Sequence, residues 1–262
     1  MNYYLILALI VAILYVVAIY FQNPRGLRPL QRNDPRVIKY RMKRITMLCF
    51  GLLLFIPIAT PITIRDLGLI PGFTNNRNFF NDFNNIIYSI LLILGLYLCK
   101  IIDYIANYTV GNILDDLYMN FFTLIGFRDH IFAPITEEFI YRSIIINLLL
   151  LANYSNQNII IFSPLLFGFA HLHHGYQNYL TYQQTILTTL LQLLFTTFYT
   201  SIFGMLQSYL FLKYNNLLSI IFVHLICNLF GFPELIIDGS FNYKVLYYCS
   251  IIVGVIGFYY NL

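Results

Sequence analysis

Charge is what this sequence has least of. Only 10% of its 262 residues are Asp, Glu, Lys or Arg, against about 25% in ordinary soluble domains. With 59% of residues hydrophobic and a mean hydropathy of +0.71, a polytopic membrane protein is expected and no soluble domain of useful size is left over. The four cysteines, Cys49, Cys99, Cys227 and Cys249, lie in or beside apolar stretches without C-x-x-C spacing. Neither a disulfide framework nor a zinc knuckle is therefore indicated. Also missing are an H-E-x-x-H helix, which argues against a standard zinc protease, and a G-x-S-x-G elbow. There is no repeat of fixed period and no heptad run. The first apolar stretch has no basic segment before it and no small-residue cleavage site, so it reads as a retained anchor.

What is there is a series of apolar spans: Asn2–Phe21, Thr46–Ile62, Ile86–Ile102, Glu137–Leu151, Asn158–His174, Thr185–Leu212, Leu217–Gly231 and Lys244–Leu262. Each is near the ~20 residues that cross a ~30 Å hydrocarbon core. The expected fold is all-α, a transmembrane bundle of about eight helices forming one integral-membrane domain over 1–262, with residues 137–231 holding the polar groups of interest. An interfacial helix is expected around Ile113–Ile125. Between the first two spans, residues 22–45 carry Arg25, Arg28, Arg32, Arg36, Lys39, Arg41, Lys43 and Arg44 against the single acid Asp34. Short loops rich in Lys and Arg stay cytosolic. Without aromatic interleaving or a soluble platform, this basic loop does not read as a nucleic-acid site. Its orientation makes the loop Thr63–Asn85 lumenal and brings the intramembrane polar residues to the cytosolic side.

Three polar motifs interrupt the apolar spans. A single charge in hydrocarbon costs about 2.5–3.5 kcal/mol by insertion scales, so such groups persist when paired, wet or chemically used. In Glu137-Glu138-x-x-x-Arg142, Glu138 and Arg142 are i,i+4 neighbours that can pair. Glu137 is rotated about 100° away, and its carboxylate stays available. Pro134 upstream suits a helix start, so a capped helix with a structural ion pair is the plainer alternative. In Phe167-x-x-x-His171, followed by His173 and His174, a core histidine or a metal ligand competes with a catalytic role. In His224-x-x-x-Asn228, both side chains offer N–H donors to a developing oxyanion, while interhelical hydrogen bonding is the rival. Together these groups can activate water against an amide, with Glu137 as general base and His171 holding the water. Cys227 leaves a thiol mechanism open, although a nucleophilic cysteine needs a base on its own face and its neighbour in sequence, Asn228, is turned about 100° away.

At these residues the sequence resembles the type II CAAX prenyl endopeptidases, the Ras-converting group within the CAAX-protease and bacteriocin-processing family. That family's motifs E-E-x-x-x-R, F-x-x-x-H and H-x-x-x-N match Glu137/Glu138/Arg142, Phe167/His171 and His224/Asn228 in order. Flanking stretches resemble the eukaryotic branch: Ala133-Pro134-Ile135-Thr136, Pro164-Leu165-Leu166-Phe167-Gly168, Cys227-Asn228-Leu229-Phe230-Gly231 and Asp34-Pro35-Arg36-Val37-Ile38-Lys39. The resemblance implies an endopeptidase of the endoplasmic-reticulum membrane, open to the cytosol. It would remove the last three residues from farnesylated or geranylgeranylated CAAX proteins such as Ras-type GTPases. It also implies that Glu137 and His171 activate water and that His224 and Asn228 form the oxyanion hole. Glu138, Arg142 and Phe167 would support them. No cofactor is implied, and a divalent metal is left open. Membrane lipid is the other expected partner, and nucleic acid is not one. The rival readings are a related protease acting on unprenylated substrates and a non-catalytic membrane scaffold.

Overall fold

The computed structural model describes residues 2–20, 31–75, 78–170 and 185–262. Among these, ten helical elements form an all-α membrane protein. They are α1 (Tyr3–Tyr20), α2 (Pro35–Ala59), α3 (Phe79–Leu96), α4 (Leu98–Asn107) and α5 (Val110–Leu117, prolonged by Tyr118–Phe122). A long interrupted helix, α6, covers 124–151, and α7 (Asn156–Ala170), α8 (Ile186–Tyr214), α9 (Leu217–Phe230) and α10 (Phe241–Asn261) complete the chain. Helices α2, α3, α8 and α10 are long and apolar enough to cross a membrane, and α1 and α9 are shorter apolar helices. The eight expected spans are all represented, the third broken at Tyr97 into α3 and α4, and α5 overlaps the further helix expected around Ile113–Ile125. Residues 35–45, expected to end the basic loop, are instead the first turns of α2.

Helix starts are set by polar caps. Asp34 accepts from the Arg36 N–H at 2.9 Å, with Pro35 in the first turn of α2, and such a cap is worth about 1 kcal/mol. The Arg36 side chain also donates to this carboxylate and holds its pKa below the usual carboxylate range, so the cap keeps its charge well into acid. Thr185, Asn216 and Ser240 cap α8, α9 and α10 in the same way.

The middle of the bundle is α6. Ile140, Tyr141, Ile144, Ile145, Ile146, Leu148 and Leu149 are all buried, and a helix apolar on every side belongs at a centre. It packs on α1, α7 and α9. Its α-type turns Leu124–Phe127, Ala133–Glu138 and Ile145–Leu151 alternate with wider π-type turns at Arg128–Phe132 and Phe139–Ile144. Pro134 has no N–H for the helical ladder and crowds the carbonyl four residues back, which accounts for the first of these; the second has no proline.

Two ends of the bundle are distinguishable. At one, Arg128 Nη1 donates to Asn33 Oδ1 at 3.0 Å and Lys100 pairs with Glu234 at 3.5 Å. At the other, the segment between α2 and α3 is tied into the helices. Ser143 Oγ donates to the Leu67 carbonyl at 2.7 Å, and the side-chain amides of Asn147 and Asn215 both donate to the Asp66 carbonyl at 2.8 Å. Gly68 lies at φ +64°, where a Cβ would meet the Asn215 carbonyl oxygen at 2.5 Å, so this approach requires glycine.

Candidate active site

The glutamate pair sits at the end of the α-type turn Ala133–Glu138, where the wider turn Phe139–Ile144 begins. Such π-type turns recur at functional sites because they re-aim side chains. Glu138 and Arg142 are both fully buried, and Arg142 Nε lies 3.3 Å from Glu138 Oε2. The guanidinium also rests 4.4 Å above the Phe167 ring. Its nitrogens make no directed hydrogen bond among the described residues; attraction to one carboxylate and one aromatic face is what holds it. Room for it comes from Gly204 of α8, where a Cβ would stand 3.0 Å from Arg142 Nη2 and 2.8 Å from Pro164 Cβ.

The other oxygen of Glu138 binds the third motif. Its Oε1 lies 2.6 Å from His224 Nδ1, in a buried contact between α6 and α9. A carboxylate only accepts, so the proton in this bond belongs to Nδ1, and Nε2 turns toward Glu137, 3.9 Å from its Oε2. The His224 ring is wedged edge-on by Phe203 at 4.8 Å and Phe167 at 6.4 Å. Glu138 therefore orients a histidine as well as neutralising an arginine, a double role that i,i+4 spacing along one helix does not reveal.

Glu137 is oriented from the other side. Tyr15 of α1 donates its hydroxyl to Glu137 Oε1 at 3.2 Å, and the Tyr15 ring packs edge-on against Tyr141 at 5.6 Å. Sequence reasoning missed Tyr15, because it is one of 23 tyrosines in the chain and belongs to no spaced motif. Glu137, His224 and Asn228 line a single cavity of about 460 Å³, together with Cys227, Tyr199 and Phe203. Asn228 is exposed there and donates one amide N–H to the Asp129 carbonyl at 3.0 Å, which leaves its second N–H free to turn toward the cavity. His171, His173 and His174 lie outside the described residues; α7 is described as far as Ala170. Among the described residues, no group of three His, Cys, Asp or Glu side chains is placed to hold a metal.

This site falls inside a recognisable segment. Residues 119–230 match the family described as type II CAAX prenyl endopeptidase Rce1-like. Over most of its length the chain is also similar to "CAAX prenyl protease 2" of Saccharomyces cerevisiae, at 31% identity over 250 residues covering 86% of this chain and 78% of that protein. "Probable CAAX prenyl protease 2" of Schizosaccharomyces pombe is 33% identical over 265 residues, 99% of this chain and 92% of its own length. The chain belongs to this family. It is accordingly a multi-pass membrane protease of the CAAX prenyl endopeptidase type. "CAAX prenyl protease 2" of Arabidopsis thaliana is 37% identical over 131 residues, half of this chain and 41% of that protein. No solved structure matches the chain.

Proposed function

We propose that this protein hydrolyses the peptide bond after the prenylated cysteine of CAAX proteins, releasing the last three residues, with Glu137 as general base. The observation that carries the reading is the position of Glu137. Its carboxylate forms part of a cavity wall, fixed by Tyr15 on one oxygen, and faces the His224 imidazole with the other. Glu137 takes a proton from water while the hydroxide adds to the carbonyl carbon of the prenylcysteine. His224, in its imidazolium form, donates from Nε2 to the resulting oxyanion, and the free N–H of Asn228 provides a second donor. Glu138 supports that imidazolium through the 2.6 Å bond to Nδ1. Glu137 then passes its proton to the departing amine, so the elements of one water end up divided between the two products. By family resemblance, His171 helps to hold the water.

The setting suits such a substrate. The basic first turns of α2, with Arg36, Lys39, Arg41, Lys43 and Arg44, lie at the end of the bundle where Arg128 meets Asn33, and Lys- and Arg-rich ends face the cytosol. A prenyl chain gains about 0.8 kcal/mol per buried CH₂ in the bilayer, which delivers the modified tail to the cytosolic leaflet. The relatives' names support the same substrate class, and residence in the endoplasmic-reticulum membrane is what the family resemblance implies. The test is cleavage of a farnesylated CAAX peptide and its unfarnesylated twin by wild type and Glu137→Ala in membranes. The farnesylated peptide is expected to be cut and the variant to lose about 10²–10⁴-fold in rate. Equal cleavage of both peptides would overturn the substrate, and an undiminished Glu137→Ala would overturn the mechanism.

A further inference from the structure

The cavity that holds Glu137, His224 and Asn228 has walls of two kinds. Arg32, Asp129 and His130 make one of them polar, whereas α8 contributes Tyr199, Thr200 and Phe203. Phe203 packs on the His224 ring, and steps of four residues back along α8 give Tyr199, Phe195, Leu191 and Leu187. Residues four apart on a helix stand one above the other, so these five form a single row that begins at His224. The Tyr199 and Phe195 rings are parallel, 6.4 Å apart, and Phe232, just beyond α9, packs edge-on against both at 5.7 and 6.0 Å. The row emerges as it leaves the cavity: Phe195 is 57% exposed, Leu191 58% and Leu187 67%. Glu137 also borders a second cavity with Ile38 and Ile45 in its lining, of about 90 Å³. A space of about 150 Å³ takes one benzene ring, so this smaller cavity holds no long hydrocarbon. Among the described residues, α8 carries the apolar path that leads out of the site.

We infer, on the endopeptidase reading given above, that this row seats the isoprenoid of the substrate and measures its length. Attack at the prenylcysteine carbonyl fixes that cysteine beside Glu137 and His224, and its thioether chain must then leave along an apolar surface. The polar wall offers none, and the Phe167 ring is covered by the Arg142 guanidinium. An isoprene unit adds four carbons to the chain, about 5 Å along its axis with bonds near 1.5 Å. One turn of helix rises about 5.4 Å, so each unit spans about one step of the row. Starting at Phe203, the three units of a farnesyl chain end at Leu191. The fourth unit of a geranylgeranyl chain reaches Leu187. Phe195 thus serves both substrates, and Leu187 meets the longer one alone.

The experiment measures kcat and KM of the full chain on one CAAX peptide carrying a farnesyl or a geranylgeranyl thioether, in phosphatidylcholine vesicles. Phe195→Ser is expected to raise KM about tenfold for both substrates, the scale of a methylene lost from an apolar site, with kcat little changed. Leu187→Ser is expected to raise KM for the geranylgeranyl peptide and to leave the farnesyl peptide as in wild type. Leu187→Phe, which enlarges the contact, should shift the ratio the other way, a result that misfolding does not produce. Leu194→Ser, similarly exposed at 68% but off the row, should change neither. An unaltered farnesyl-to-geranylgeranyl ratio in both Leu187 variants would show that the row meets phospholipid tails only and would overturn the inference. A Leu194→Ser enzyme as impaired as Phe195→Ser would overturn it too. If wild type left both prenylated peptides uncut, the endopeptidase reading itself would fail, an outcome distinct from an unaltered ratio.

Discussion

Tyr15 and Glu137, 122 positions apart in the chain, meet through a 3.2 Å hydrogen bond from the tyrosine hydroxyl to Oε1 of the carboxylate. The contact places the N-terminal helix in the machinery of the site, since the bond holds one carboxylate oxygen and leaves the other toward His224. Tyr15→Phe keeps the buried ring and removes only the donor. It is expected to lower kcat about tenfold, the worth of one buried hydrogen bond to a charged group, with KM little changed. Steady-state kinetics on a farnesylated peptide checks this; a change confined to KM would show that Tyr15 acts on binding and not on the base.

Glu138 and Arg142 carry opposite charges with no exposure to solvent. Removing one partner leaves the other charge buried alone, at a cost of about 3–5 kcal/mol, whereas removing both costs far less. Glu138→Gln and Arg142→Met should each unfold at markedly lower temperature in detergent, and the double variant should be more stable than either. Additive losses in that cycle would mean that the two side chains do not act on each other.

At Gly204, α8 lies directly against the buried guanidinium. A methyl group there would press on Pro164 Cβ at 2.8 Å and Arg142 Nη2 at 3.0 Å. Gly204→Ala is expected to destabilise the protein by about 1–3 kcal/mol and to disturb Arg142 together with the Glu138 it contacts. Thermal unfolding and activity measured on the same preparation check both effects; an unchanged midpoint would show that α8 can move aside.

Asn228 lines the cavity, and its side-chain amide is held by one N–H on the Asp129 carbonyl. Asn228→Ala should reduce kcat by about 10²–10³-fold, as expected for the loss of an oxyanion donor, with a small change in KM. Asn228→Asp, similar in shape but without the donor, should be no better. Recovery in the aspartate variant would assign Asn228 a structural role.

Cys227 lines the same cavity as Asn228 and is the one thiol there. Cys227→Ser is expected to retain most activity, since the proposed chemistry needs no sulfur nucleophile. Abolished turnover in a folded Cys227→Ser protein would revive the thiol mechanism.

Hydropathy made the membrane bundle legible, because long uncharged runs leave a chain few other ways to satisfy its backbone. It did not show the break at Tyr97 or the early start of α2 at Pro35. Both depend on local features, a non-helical dihedral and a cap, that leave average polarity unchanged. The Glu138–Arg142 contact follows from helical spacing alone. The Glu138–His224 bond does not, because it joins two helices whose mutual rotation only packing decides. Tyr15 was invisible for the same reason: nothing in α1 distinguishes it until α1 is laid against α6.

The wide turn Phe139–Ile144 follows the glutamate pair; its own Ser143 and, beyond it, Asn147 fasten α6 to the loop at 66–67. A π-type turn amounts to one extra residue inside an α-helix, and one residue is worth about 100° of rotation. Deleting a residue from this turn would keep the lower half of α6 clamped and swing the carboxylates away from Tyr15 and His224. The loop at the far end of the bundle thus sets the compass bearing of the acids, and the wide turn is the declination built into it.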